Sequence, residues 1–343
     1  MHTVASTDPW SVSEAGYPAD GSPLEQLRHI VGYAVLAPSA HNTQPWRFRV
    51  TEAGIELHAD RTRALPVSDP DGRELAISCG AALFHLRVAV RRFGHMDRVH
   101  LHPDPRKPDL LALVSRGDEV RASREVLTLF RAIRERRTHR PAFDARDLGA
   151  SDLALLREAA EDEGGWMRPL AGALRTEVAG MVEAADHLQY ADGAFRRELA
   201  SWIRPTARGA EDGIPAYALG IPDLLAPLGP ALMGRLNLGG MRGGSDRRAA
   251  ETAPLLAVLG TEGDRCTDWL NAGQALARVL LAGRARGLSA AFLNQPVQVP
   301  ALRARLREML GREGWPQLIL RMGYSQDDLR PTPRRGVEDV LVG

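Results

Sequence analysis

The sequence predicts an α+β fold in which two tandem α/β halves pack on each other as a pseudo-dimer within one chain. Three observations lead there. Helical and strand-like periodicities alternate along the 343 residues. Gly80-Ala81-Ala82-Leu83 runs to Gly94 over fourteen residues, and Gly273-Gln274-Ala275-Leu276 runs to Gly287 over the same distance. Further on, Leu110-Leu111-Ala112-Leu113 corresponds in order to Gln317-Leu318-Ile319-Leu320. Two buried helices can share small residues by chance, but the agreement downstream argues for duplication. The halves are set at 22–117 and 118–325, with a tail at 326–343. Such a unit places its binding site along the internal seam.

Ser22-Pro23-Leu24-Glu25 opens the first helix: Ser22 caps, Pro23 suits the first helical position and Glu25 completes a capping box. Leu27, Ile30, Val31 and Ala34 keep one face apolar, and Pro38 ends the helix. Strands at 46–50 and 55–58 flank Thr51-Glu52-Ala53-Gly54 as a hairpin. A long helix follows at about 72–93, with Asp69, Asp71 and Glu74 read as its turn and start. Strands near 97–101 and 110–115 and a helix at about 123–136 complete the series.

In the second series Ser151 caps a helix to about 163, and helices fill 173–202. Residues 205–245 form an insertion rich in proline and glycine, with only a brief helix expected inside. It carries Ile214, Tyr217, Leu219, Ile221, Leu224, Leu225, Leu228, Leu232 and Met233, too apolar for a free linker. A buried strand at 254–259, a long helix at about 266–286, a strand at 290–293, a helix at 299–310 and a strand at 317–321 follow. From 325 the chain is polar and proline-rich.

Composition excludes several classes. The chain has 44 basic and 43 acidic residues, a formal net charge of +1, so no chain-wide attraction to nucleic acid or an anionic membrane is expected. Cys79 and Cys266 are its two cysteines, which rules out a disulfide scaffold or a multi-cysteine metal site and fits a reducing compartment. Lys107 is the only lysine, so an anion site must use guanidinium groups. Residues 1–20 lack the apolar run of a signal peptide and no stretch of 18 apolar residues occurs, so a cytoplasmic protein is expected. Of His95, His100 and His102, the last two fit an alternating strand, no carboxylate sits at helical ligand spacing, and no metal is expected.

The segment Ala37-Pro38-Ser39-Ala40-His41-Asn42-Thr43-Gln44-Pro45-Trp46 joins a helix end to a strand. Two prolines fix the backbone around short polar side chains, which suits a loop presenting donors and acceptors to a flat polar ligand, or a rigid turn anchored by Trp46. Arg134–Arg140 holds a second cluster, which by itself could equally be a solvated helix end complementing the dipole.

Pro38-Ser39-x-x-Asn42-x-Gln44-Pro45-Trp46 resembles the signature of the FMN-dependent nitroreductase superfamily at all six defined positions. Arg136-Arg137-Thr138-His139-Arg140 resembles its arginine-rich turn, found here only in the second half, and Arg334-Arg335 fall where the family places basic residues on the flavin phosphate. The length, the duplication and the insertion are similar to the Acg-like branch, whose members fuse two nitroreductase-like halves. The resemblance covers about 22–340 and implies a nitroreductase-like fold that binds FMN.

Implied cofactor residues are Pro38, Ser39 and Asn42 from the first half, Arg136, Arg137, Thr138 and Arg140 from the second, and Arg334 and Arg335 from the tail. Asn294 and Gln295, after the long second helix, either face flavin N5 or simply end a strand before Pro296. Gln44 and Trp46 are read as structural. Since each half keeps a different part of the motif set, one complete flavin site per chain is expected, the other being degenerate. No catalytic side chain is assigned, because hydride chemistry belongs to the flavin.

Two functions follow from the resemblance. One is an oxidoreductase that takes hydride from NADPH or NADH and passes it to a nitroaromatic or quinone-like acceptor. The other is a flavin-sequestering or storage protein whose insertion at 205–245 stays shut as a lid over the cofactor. A small-molecule partner alone is expected, and an internal pseudo-dimer permits a monomer.

Overall fold

The computed structural model describes residues 8–205, 210–219, 221, 226–228, 231, 234–311 and 313–343. The first helix, α1 (Pro23–Ala34), starts with the expected capping box: Ser22 Oγ accepts from Glu25 N–H, and Glu25 Oε2 accepts from Ser22 N–H at 2.7 Å. Strands β1 (Trp46–Thr51) and β2 (Gly54–Ala59) form the hairpin. Helix α2 (Arg73–Arg92) is capped by the Asp69 carboxylate, which accepts from the Glu74 and Leu75 N–H groups. Strands β3 (His95–Leu101) and β4 (Leu110–Glu119) and helix α3 (Arg124–Glu135) follow.

The second series comprises α4 (Ala150–Glu161), β5 (Gly165–Pro169), α5 (Gly172–Ala191), α6 (Gly193–Ser201) and two short paired strands, β6 (Ile203–Arg204) and β7 (Ile214–Pro215). It continues with α7 (Gly239–Thr252), β8 (Leu255–Thr261), α8 (Cys266–Ala285), β9 (Leu288–Phe292), α9 (Gln295–Gln298), α10 (Pro300–Leu310) and β10 (Trp315–Tyr324), and ends with α11 (Val337–Val340).

Two four-stranded sheets result, with orders β1-β2-β4-β3 and β5-β8-β10-β9. Every pairing in both is antiparallel. Ranked along the chain, the two orders are the same, and a 20-residue helix joins the second strand to the third in each. Those helices, α2 and α8, are buried on nearly every side and carry the main core with them. Gly94 and Gly287, which follow them, both take the left-handed conformation that glycine adopts without strain.

The α2–α8 contact is reciprocal. A Cβ on Gly80 would lie 3.0 Å from Gly273 Cα and inside contact distance of Leu270 O. A Cβ on Gly273 would strike Ile77 O in the same way. Each glycine thus faces the other, and each also meets the carbonyl three residues before its partner.

Three expectations need correction, and one strand was not anticipated. Helix α4 has Gly149, not Ser151, at its N-cap, with no side-chain cap. The segment Gly165–Pro169, given no element from the sequence, is an edge strand against β8. The insertion ends in a 14-residue helix, α7, rather than a brief one. Intrinsic propensity opposes a helix with so many glycines. Packing reverses the outcome: a Cβ at Gly243 would sit 3.1 Å from Glu183 O, and one at Gly239 3.2 Å from His187 Cα, so bare glycines let α7 lie close on α5. The first helix stops at Ala34, well before Pro38.

After β10 the tail crosses back to the first sheet, where Val342 N–H donates to Phe48 O at 2.8 Å. The segment after α3 pairs with β9 through Thr138 and Ala290, with His139 N–H donating to Ala290 O at 2.8 Å. These two crossings carry the arginines predicted from the sequence toward the seam. No helix among the described residues is long and apolar enough to cross a membrane.

The helix contact yields a stability test. Gly273→Ala is expected to destabilise the protein by about 1–3 kcal/mol in urea unfolding, because a backbone carbonyl cannot move aside as a flexible side chain can. Gly180→Ala, at an open position within α5, should be neutral or stabilising by up to about 1 kcal/mol. Equal effects at the two sites would remove the packing argument.

Candidate functional site

The loop between α1 and β1 is strained in a defined way. His41, Asn42 and Gln44 have φ of 49°, 56° and 52°, the left-handed region that costs side-chain-bearing residues about 1–3 kcal/mol each. Hydrogen bonds hold them there. Gln44 N–H donates to Ser39 Oγ at 2.9 Å, and Gln44 Nε2 donates to Glu211 O at 2.8 Å. Arg335 N–H donates to Gln44 Oε1 at 2.9 Å. Asn42 Nδ2 donates to Gly213 O and Pro333 O, and Asn42 Oδ1 accepts from Arg334 Nη1 at 2.8 Å. Three distant segments (the loop, the insertion and the tail) therefore meet on two amide side chains.

Beside this junction lies a cavity of about 1000 Å³. Of the residues predicted from sequence, Pro38, Ser39, Asn42, Arg136, Arg137, Thr138, Arg140, Asn294, Gln295 and Arg334 all border it. Arg335 does not. Its backbone and guanidinium hold Gln44, its guanidinium also reaches the Asp339 carbonyl, and it stands 3.8 Å from Asp60. Gln44 and Trp46 are fully buried. Asn294 Oδ1 accepts from Ile319 N–H at 3.0 Å, so that side chain secures the strand.

One end of the cavity is cationic. Arg136 and Arg334 are 4% and 5% exposed, and both point at the Leu36 carbonyl, at 3.4 and 3.5 Å. Arg137 lies over the Trp10 ring at 4.1 Å, and Arg334 reaches the same ring at 5.2 Å. Among the described residues none of these three pairs with a carboxylate within 4.0 Å, and the Nε of each is buried without a partner. Burial pushes Arg136 down to about 10, with Arg137 adding repulsion. Burial, then Arg136 and Arg137, lowers Arg334 well below the ordinary arginine range. Arg140 is also pushed to about 10 by burial; it is ringed by protein, yet its side chain is bare toward the open cavity. Arg136 and Arg334, buried with no carboxylate partner among the described residues, are costly, and an anion beside them satisfies them.

The middle is apolar. Ile77 of α2 and Leu276 of α8, both beside the glycine contact, form the wall with Leu318 of β10. This surface suits a flat ring. The far end is acidic and amide-rich. Gln295 Nε2 donates to Asp246 Oδ2 at 2.9 Å and to Asp186 Oδ1 at 3.3 Å, and Gln298 Nε2 donates to both Glu74 oxygens at 3.0 Å. Burial raises the Glu74 carboxyl above the ordinary range. His41 also borders the cavity; burial pushes it down to about 4, so it is neutral near pH 7.

Sequence reasoning missed Trp10, Glu74, Asp186 and Asp246. Only Glu74 carried a signal, as the start of a long buried helix. The described part of the insertion borders the cavity through Gly213, Ile214, Tyr217, Ala218, Leu219 and Ile221. Leu224, Leu225, Leu232 and Met233, and the Leu228 side chain, lie outside the described residues.

The nitroreductase family profile matches residues 133–324. A Mycobacterium tuberculosis H37Rv protein provisionally named NAD(P)H nitroreductase Rv3131 is 35% identical over 322 residues, covering 92% of this chain and 91% of its own. The similarly named acg protein of that organism is 28% identical over 334 residues, covering 92% and 95%. Among solved structures, the FMN-dependent nitroreductase NfnB from Mycobacterium smegmatis in complex with NADPH has a TM-score of 0.40 at 19% identity, covering 62% of this chain and 96% of that one. A Bacteroides fragilis nitroreductase with bound FMN has a TM-score of 0.36 at 15% identity, covering 60% and 93%.

The unpaired guanidinium groups make a direct prediction for ligand-free protein. Inorganic phosphate should raise the Tm, since each charge-assisted hydrogen bond contributes about 1.5–3 kcal/mol. Arg136→Met should raise the Tm in phosphate-free buffer and abolish most of the phosphate effect. A Tm indifferent to phosphate in the unaltered protein would remove the anion site.

Proposed function

The chain belongs to the nitroreductase family, and from that premise we propose that it is an FMN-binding, NAD(P)H-dependent oxidoreductase acting on a nitroaromatic or quinone-like acceptor. The observation that carries this reading is a pair of buried guanidinium groups, Arg136 and Arg334, with no carboxylate partner among the described residues, bordering an apolar-walled cavity. An FMN phosphate, close to a dianion at neutral pH, meets what Arg136, Arg137, Thr138 and Arg334 lack. The isoalloxazine ring, when bound, supplies the hydride chemistry. The protein's share is to neutralise the phosphate, to offer Ile77, Leu276 and Leu318 to the ring and to exclude water.

On this reading 22–117 and 118–325 are the two nitroreductase-like halves of an intrachain pseudo-dimer, and 326–343 supplies the phosphate end with Arg334. The matching strand orders and the reciprocal Gly80–Gly273 contact support it. One site per chain follows, because the arginines come from the segment after α3 while the Pro38–Asn42 loop comes from the other half. Arg335 acts as a clasp on Gln44 rather than on the phosphate.

A second reading, flavin storage behind a closed lid, is favoured by one observation. The described part of the insertion is fastened to the loop: Asn42 and Gly213 exchange two hydrogen bonds, Gln44 holds Glu211, and Asp212 pairs with Arg63 and Arg204. An insertion that never leaves keeps nicotinamide out.

Purified protein should therefore be yellow, with close to one FMN per chain by absorbance after denaturation. Arg136→Ala or Arg334→Ala should weaken FMN retention at least tenfold, about 1.4 kcal/mol. Arg335→Ala should act chiefly on stability. Protein that stays colourless in excess FMN would overturn the reading.

Anaerobic mixing with NADPH divides the two functions. Bleaching of the flavin supports the oxidoreductase, and persistent oxidised flavin supports storage. Asp212→Ala, which frees the insertion, should accelerate bleaching if the insertion gates access; an unchanged rate would argue against a lid.

A further inference from the structure

Asp186 on α5 and Asp246 on α7 border the cavity together with Arg140, Arg242 and Arg321. One amide nitrogen, Gln295 Nε2, donates to both, which places the carboxyls side by side. Asp186 is 2% exposed, and among the described residues its Oδ2 is buried without a hydrogen-bond partner. Two like charges so placed cannot both ionise freely, so the pair holds a proton between them.

Resting on the flavin reading above, we propose that the Asp186–Asp246 carboxyl pair is the proton donor to the acceptor reduced in this cavity. Reduction of a quinone or nitro group takes a hydride and a proton. NAD(P)H supplies the hydride by way of the flavin. A quinone that has accepted it is a hydroquinone monoanion. The carboxyl O–H bond then breaks as a new O–H bond forms on that oxygen, giving the neutral hydroquinone. The electron pair of the broken bond stays on the carboxylate, and solvent returns a proton afterwards. The charge thus cycles between one and two negative charges on the pair.

The surroundings tune that cycle. Arg242 and Asp246 face Asp186 from α7, and Gln295 faces it from α9. Tyr190, one turn along α5, lies against Arg242. Arg140 and Arg321 face Asp246 from the segment after α3 and from β10. Burial, then the charge of Asp246, pushes Asp186 up to about 7, and burial raises Asp246 as well. A carboxyl protonated near neutrality suits general acid work. The cations keep the doubly ionised state within reach.

The sign of the linked stability effect is fixed. Asp186 binds its proton more tightly in the folded protein than unfolded, where a carboxyl titrates at about 4. Its contribution to stability is fully present below about pH 4 and is lost as the pH rises to about 7, after which the curve is flat with respect to this group.

The test uses the full chain and two kinds of measurement. In flavin-free protein labelled with ¹³C at aspartate carboxyls, one carboxyl should titrate near neutrality. That signal should vanish in Asp186→Asn and move down in Asp246→Asn. In FMN-loaded, pre-reduced protein, stopped-flow oxidation by a benzoquinone should slow as pH rises through about 7. Asp186→Asn should cut that rate at least about tenfold and flatten its pH dependence. Ferricyanide, which takes electrons without a proton, should be affected far less, and Asp186→Glu should restore part of the quinone rate.

Aspartates that all titrate in the ordinary range would overturn the proposal, as would equal losses with quinone and ferricyanide. Failure to bind FMN would instead strike the functional reading, leaving the titration to report on the pair by itself.

Discussion

Everything in this molecule is arranged around one close approach, where Gly80 of α2 and Gly273 of α8 let two helix backbones touch. Neither helix could reach the other with a side chain in the way. The contact brings the two sheets together with their 20-residue helices as the common core. It also sets the cavity wall, since Ile77 and Leu276 each lie three residues from one of the two glycines. The binding surface is thus a by-product of the packing that makes the fold.

The loop at 38–45 shows how local strain is held by distant chain. Three non-glycine residues sit in left-handed backbone, which His41 and Asn42 tolerate better than most residues and Gln44 does not. What holds them is the return of the tail and the approach of the insertion, both through Asn42 and Gln44. The same bonds fix Arg334, because its Nη1 rests on Asn42 Oδ1. Strain and charge are therefore linked: a loop that relaxed would release the guanidinium that its Asn42 holds.

Much of this was legible in the sequence, for physical reasons. The capping box at Ser22 and the hairpin at 51–54 are local and keep their local meaning. The repeated glycine spacing was legible because backbone contact between helices tolerates nothing larger. The arginines after α3 stood out as a cluster. What escaped depends on tertiary context. Strand β5 is short and begins with a glycine, so nothing local marks it before β8 is in place. Helix α7 contradicts its own propensity because α5 accepts bare backbone. Asp186 and Asp246 lie on two helices, sixty positions apart in the sequence, and only the fold shows that Gln295 binds both.

The cavity is polar along its length in a directed sense. Arg136 and Arg334 border it with no carboxylate partner among the described residues, aliphatic side chains form the wall, and the Asp186, Asp246 and Glu74 carboxyls stand with amides and with Arg140, Arg242 and Arg321. An elongated molecule with an anionic tail and a flat head is favoured one way round; reversed, the tail would meet Asp186, Asp246 and Glu74, carboxyls that stand beside Arg140, Arg242 and Arg321, and Arg136 and Arg334 would stay unmatched. Orientation therefore follows from electrostatics before any specific hydrogen bond is made. The acidic end cannot simply be traded for apolar residues of similar size. Arg140, Arg242 and Arg321 would then lose the carboxylate that faces them, and the cavity would carry excess positive charge at both ends. The gradient, and not any single contact, is what makes the two ends unequal.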